Sequence, residues 1–308
     1  MLKQLISSNS LYITYIKLAV VAAIWGGTFV AGRSISADIP PLLASSSRFL
    51  IASLSLTAFL ALFGSGFKRI NFSQALTLLG LGCCGIYIYN LCFFYGLQYI
   101  SASRASLIVA SNPAIMAICS FIFYREKISR FKMLGIGLCL IGASVVIMSK
   151  NSNSSITAPH HWLGDGLIFG CVLSWVCYSL LSKKIVAEIG SLHTVTYSIY
   201  IGTALLLIDA GLNGQINLMV LSTISLQTLS SLIYLGAIGS ALAYIWYYDA
   251  IQSIGSTQAG TFIALNPLTA VLLGALLLNE SISHSSIVGG MCIIFGIIIT
   301  NQSLKSKN

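Results

Sequence analysis

Asn112-Pro113 and Asn266-Pro267 stand 154 residues apart, each inside an apolar run: LIVASNPAIMAICSFIFYREKISR over 107–130 and TFIALNPLTAVLLGALLLNESISH over 261–284. Proline lacks an amide hydrogen and clashes with the preceding turn, so within a helix it strips the carbonyls of Val109 and Ile263 of their usual partners. Asn112 and Asn266 add side-chain amides at the same depth. In a solvent that satisfies no backbone group, such atoms must be answered by protein, water or a bound solute. Pro113 and Pro267 are therefore candidate hinges, and a packing kink without solute contact accounts for them equally well.

Arg48 and Arg104 lie inside apolar runs and Arg33 closes another. An ionisable group so placed is a functional candidate, here for holding a carboxylate. Pairing with Asp38 or Glu280, or snorkelling to the interface, are the structural alternatives. Trp25 and Trp175 lie eight or more residues inside their runs, although membrane tryptophan favours the interfaces. With Thr28, Phe29, Tyr87, Tyr178 and Tyr244 they can form an aromatic wall suited to amphipathic metabolites, or simply core. Asn90 completes the cavity candidates. Glu126 and Glu280 fall at helix ends and read as gate or framework residues, since no acidic residue is securely placed at mid-depth to carry a proton.

Other chemistries are excluded. GLGCCG at 80–85 spells a phosphate-cradling pattern but has no strand before it, so it reads as a smooth packing face. His160 and Asp165 in HHWLGD have no soluble catalytic domain around them. The eight cysteines have no metal-ligand spacing and read as packing residues. No catalytic residue, metal or cofactor is expected.

The elements that must position these groups follow from composition. Of 308 residues 56% are hydrophobic and 7% charged, too few charges to cover a water-soluble globule. Ten runs of about 18 residues or more are long enough to cross a bilayer: 17–35, 42–63, 73–95, 101–124, 131–149, 163–184, 192–211, 226–248, 257–279 and 285–302. They must be helices, because the alternation of an outer-membrane barrel is absent. The first 16 residues precede an uncleaved first span. The net charge of +9 does not point to nucleic acid. With the N-terminus inside, 12 of 16 basic residues fall on the cytoplasmic side, leaving Arg33, Arg48, Arg104 and Lys150. The positive-inside rule then puts both termini in the cytoplasm.

Shifting the chain by 154 residues aligns 78–146 with 232–300 without a gap, matching Gly82/Gly236, Gly85/Gly239, Asn112/Asn266, Pro113/Pro267, Glu126/Glu280, Gly135/Gly289 and Gly142/Gly296. At a slightly different offset AIWGGTFVAGRSI matches LSWVCYSLLSKKI and pairs Trp25 with Trp175. The chain is thus two five-helix halves, 17–149 and 163–302, joined by a Ser/Asn-rich periplasmic linker at 150–162. Five is odd, so the second half enters the membrane from the opposite side. Inverted repeats of this kind suit alternating access about a central site.

Ten spans in two inverted halves, Trp25-Gly26-x-x-Phe29, Arg48-Phe49 and the doubled Asn-Pro helix ending in Glu resemble the drug/metabolite transporter superfamily, in its EamA-type branch. The resemblance covers essentially the whole chain. It implies a bacterial inner-membrane permease, commonly an exporter of amino acids or related metabolites, with a cavity lined from both halves. The expected partners are a small-molecule solute and the lipid bilayer; oligomeric state stays open. A nucleotide-sugar or sugar-phosphate exchanger of the same superfamily is a second reading, although no lysine sits deep in a span to help hold such an anion. A membrane-embedded enzyme or a non-transporting assembly subunit is the alternative from another class.

Overall fold

The computed structural model describes residues 2–36, 39–63, 66–100, 105, 108–125, 128–148, 161–215, 224–269, 272–273 and 284–302. Its helices, in chain order, are α1 Leu2–Ser36, α2 Pro41–Phe63, α3 Phe72–Tyr99, α4 Asn112–Tyr124, α5 Arg130–Met148, α6 His161–Ile189, α7 Ser191–Leu212, α8 Leu226–Ile254, α9 Ser256–Thr261 and α10 His284–Gln302. No strand occurs among the described residues. Among the described residues six helices are long and apolar enough to cross a membrane, and shorter apolar helices occupy Asn112–Tyr124 and Ile287–Thr300. The chain is an all-helical membrane protein.

Two departures from the sequence reading stand out. α1 starts at Leu2 rather than 17. No Gly or Pro interrupts the first 16 residues, so a helix nucleated in the span propagates backwards through them. The fourth run is broken rather than continuous: Ala110 and Ser111 form a turn, and α4 begins at Asn112 with Pro113 in its first turn. Proline is at home there, where its missing N–H is not needed. Single glycines join α6 to α7 and α8 to α9: Gly190 has φ 89°, ψ 158° and Gly255 φ 87°, ψ 159°, conformations open to glycine alone. Glu126, Glu280, Asp38, Arg104, the linker at 151–160 and the end of the ninth run lie outside the described residues.

Internal packing divides the chain into two compact units, one of Met1–Gly27, Ser106–Ser155 and Trp246–Asn308, the other of Thr28–Ala105 and Ile156–Ile245. Neither unit is a sequence half; each takes helices from both.

In the first unit α5 packs on α10, its counterpart in the repeat. A Cβ on Gly142 would lie 2.5 Å from the carbonyl oxygen of Gly289, and one on Gly296 would lie 2.6 Å from that of Gly135. Cys139, which the repeat matches with Ile293, donates its S–H to the Ile293 carbonyl at 3.7 Å. The early glycine of each helix therefore meets the late glycine of the other. The two helices run antiparallel about a pseudo-two-fold axis through Cys139 and Ile293, which makes the contact isologous. Equivalent helices pointing in opposite directions are what inverted repeats require, and small residues let their backbones approach this closely.

The second unit repeats the pattern. α2 and α7 run antiparallel, tied by Ser46 Oγ to the Leu206 carbonyl (3.2 Å), Thr203 Oγ1 to the Phe49 carbonyl (3.2 Å) and Ser53 Oγ to Thr203 Oγ1 (3.0 Å). α3 and α8 each widen into a π-helical stretch, Gly82–Ile88 and Tyr234–Leu242, at matching positions of the repeat. Gly82 presses on Ile201 and the Ser198 carbonyl of α7, while Gly236 presses on Ile51 and the Arg48 carbonyl of α2. Gly85 meets the ring of Tyr178, and Gly239 meets the Thr28 methyl. GLGCCG is thus a packing face.

Candidate functional site

Arg48 sits in α2 among apolar neighbours and is only 4% exposed. Its Nε–H donates to Ser240 Oγ at 2.8 Å, and the Ser240 hydroxyl in turn donates to the Leu235 carbonyl at 2.9 Å. That second bond spans five residues, the spacing of a π-helix. The widened stretch of α8 therefore orients the acceptor that Arg48 needs. The guanidinium also lies 5.1 Å from the ring centroid of Phe49 and within electrostatic reach of the phenols of Tyr244, Tyr89 and Tyr234. Among the described residues no carboxylate pairs with Arg48. Its described partners are neutral, so among the described residues nothing cancels this buried positive charge, and an unpaired buried ion costs several kcal/mol.

Aromatic rings surround this charge. Trp175 contacts Tyr244 (centroids 5.3 Å apart), Tyr178 (5.7 Å) and Tyr89 (5.8 Å). Tyr89 stacks on Phe93 at 6.0 Å, and Phe93 meets Phe29 at 5.5 Å. The Tyr178 hydroxyl bonds with Ser198 Oγ at 2.7 Å. Asn90, fully buried, donates Nδ2–H to the Ile86 carbonyl at 2.7 Å, while its Oδ1 has no partner among the described residues. This part of the second unit thus offers one cation, one amide acceptor and a wall of π faces. The arrangement is suited to a small solute bearing a carboxylate and an apolar or aromatic body.

Of the sequence candidates, Phe29, Arg48, Asn90, Trp175, Tyr178 and Tyr244 belong to this region of the second unit. Thr28 belongs to the same unit and serves as the contact for Gly239. Tyr87 does not join the wall: its hydroxyl donates to Asp209 Oδ2 at 3.0 Å. Trp25 falls in the first unit and packs on Tyr247 with centroids 5.1 Å apart.

The Asn-Pro pairs, also in the first unit, satisfy much of their own polarity. Asn112 Nδ2–H donates to the Val109 carbonyl at 2.9 Å, filling the bond that Pro113 cannot make. In the second copy the backbone tightens into a 3-10 turn, Phe262–Leu265, and the Asn266 N–H reaches the Ile263 carbonyl. Neither carbonyl is left open for a solute, contrary to the expectation from proline alone. The Oδ1 atoms of both asparagines are buried without a partner among the described residues. Next to Asn266, Gly26 of α1 presses on its carbonyl and on Thr269.

Sequence reasoning missed Ser240, Tyr89, Phe93 and Asp209. The doubled Gly-x-x-Gly at 82–85 and 236–239 was the available signal, since both copies mark the π-helical stretches.

The chain matches the EamA-like transporter family twice, over residues 13–148 and 162–302. It is 27% identical over 286 residues to the uncharacterized transporter YetK of Bacillus subtilis (93% of this chain, 86% of that one) and 26% identical over 292 residues to YyaM of the same organism (94% of each). Protein PagO of Salmonella typhimurium is 25% identical, covering 91% of this chain and 90% of its own. A crystal structure at 18% identity superposes with a TM-score of 0.77 over 94% of this chain and 96% of its own, which shows the shared fold. The doubled family match and the antiparallel counterpart helices agree: this chain belongs to the EamA-like transporter family of the drug/metabolite transporter superfamily, a transporter and not an enzyme.

Proposed function

We propose that the protein is a secondary transporter that exports amino acids or related small carboxylate metabolites across the bacterial inner membrane by alternating access, with both termini cytoplasmic. The observation that carries this reading is Arg48, buried and, among the described residues, hydrogen-bonded to neutral Ser240 alone. A solute carboxylate is the counter-charge, and the rings of Trp175, Tyr178 and Tyr244 cover its apolar part. Arg48 and Asn90 are buried in this structure, so solute entry calls for an opening motion of the kind inverted repeats supply. Pro113 and Pro267 serve as its hinges; Glu126 and Glu280 serve as gates.

The test is uptake of labelled neutral amino acids by proteoliposomes holding the wild type, Arg48→Lys or Arg48→Met. Arg48→Met is expected to abolish transport while the protein still elutes as a folded species, and Arg48→Lys to retain a fraction, since lysine keeps the charge but loses the fork. Undiminished transport by Arg48→Met refutes the reading. Competition by sugar phosphates but not amino acids would instead favour the exchanger of phosphorylated sugars.

A further inference from the structure

A second concave region lies in the second unit, at the end where α3 and α7 finish and α6 begins. There a groove of about 440 Å³ is lined by Leu42, Leu91, Cys92, Tyr95, Leu163 and Asp209 among others. Its volume falls within the roughly 300–1,000 Å³ of small-molecule sites. The lining is apolar and aromatic except at Asp209 and Asn213.

Asp209 is unusual on three counts. It sits in the last turn of α7, where the helix dipole already places negative charge, and that turn holds no basic residue. Its carboxylate accepts from the Tyr87 hydroxyl at 3.0 Å and from Asn213 Nδ2 at 2.7 Å, both neutral donors that fix its direction without cancelling its charge. Among the described residues no Lys, Arg or His contacts it. A half-buried carboxylate so held faces an apolar groove and has no cationic partner among the described residues.

We propose that this groove binds a small amphipathic amine: an ammonium group against Asp209, with the faces of Tyr95 and Tyr99 beside it, and an apolar body along the leucines. The groove is too small for a two-chained lipid. The ligand is opposite in charge to the carboxylate solute proposed for Arg48, so this site is separate and its failure would leave that reading untouched.

The test uses the full chain in a maltoside detergent, which carries no ammonium group. Thermal unfolding is followed against octylammonium, octyltrimethylammonium, octanol and octanoate. Saturable stabilisation by the two cations but not by octanol or octanoate is expected. Asp209→Asn should weaken it about tenfold or more, and Leu91→Trp, which fills the groove while leaving Asp209 intact, should do the same. Arg48→Met should bind octylammonium as the wild type does. Equal stabilisation by octylammonium and octanol, or an unchanged response in both Asp209→Asn and Leu91→Trp, overturns the proposal. Asp209-dependent stabilisation by phosphatidylethanolamine alone would overturn the assignment to a small amine and make the occupant a lipid headgroup.

Discussion

Replacing Gly142 by alanine places a methyl group 2.5 Å from the Gly289 carbonyl oxygen and 2.9 Å from both the backbone nitrogen and Cγ1 of Ile293. Ordinary contacts lie at 3.4–4 Å, so α5 and α10 must part locally by about an ångström. Overpacking of this size costs roughly 1–3 kcal/mol. Against it stands the gain of about 0.5–1 kcal/mol that Gly→Ala brings in a helix interior. The net expectation is a loss of roughly 0–2.5 kcal/mol, centred on about 1 kcal/mol. Gly137, on the same helix, has no described atom within 4 Å of its Cβ position, so Gly137→Ala should be neutral or stabilising. Gly296→Ala, with its Cβ 2.6 Å from the Gly135 carbonyl oxygen, should cost about as much as Gly142→Ala. Because both changes force the same helix pair apart, the double variant should lose less than the sum. Thermal unfolding in neutral detergent measures all four. Equal midpoints for Gly137→Ala and Gly142→Ala would refute the close approach, and a silent Gly296→Ala would refute its two-fold character.

Three further outcomes are expected. Asn112→Leu removes the donor that fills the Val109 carbonyl at 2.9 Å and should cost about 1–3 kcal/mol, read as a lower unfolding midpoint. Ser240→Ala removes the acceptor 2.8 Å from Arg48 and leaves the guanidinium without its positioning bond. The apparent KM for the solute should change several-fold with the protein still folded, whereas an unchanged KM would detach Ser240 from the site. Single-cysteine variants at Ser154 and Lys68 should differ in labelling by an impermeant thiol reagent added to whole cells: Ser154 reacts and Lys68 does not. The reverse pattern would invert the proposed orientation.

Much of this architecture was legible in the sequence because it rests on composition and repetition. Apolar run length fixes the spans, and Gly, Asn and Pro recurring at one offset reveal two copies; both signals are local. What could not be read is what depends on packing. Proline alone predicts orphaned carbonyls, yet Asn112 folds its own amide back onto Val109, a bond set by the turn at Ala110–Ser111. Tyr87 reads as one more ring in the wall until α7 brings Asp209 to its hydroxyl. Ser240 is an unremarkable serine until the π-helical stretch turns it toward Arg48. The compact units likewise mix helices from both halves, because contact follows space and the repeat follows the chain.

The seam of α5 and α10 restricts how the two copies can change. Around the axis the halves have diverged, with LCLIGAS in one facing CIIFGII in the other, yet glycine stands at 135, 142, 289 and 296 alike. A side chain added at Gly135, Gly142 or Gly296 collides with the opposite backbone, which has no rotamer to yield, and Gly289 supplies the carbonyl that Gly142 meets. Both helices are therefore held to the same bareness at those points, and the ancestry of the duplication stays written in four missing methyl groups.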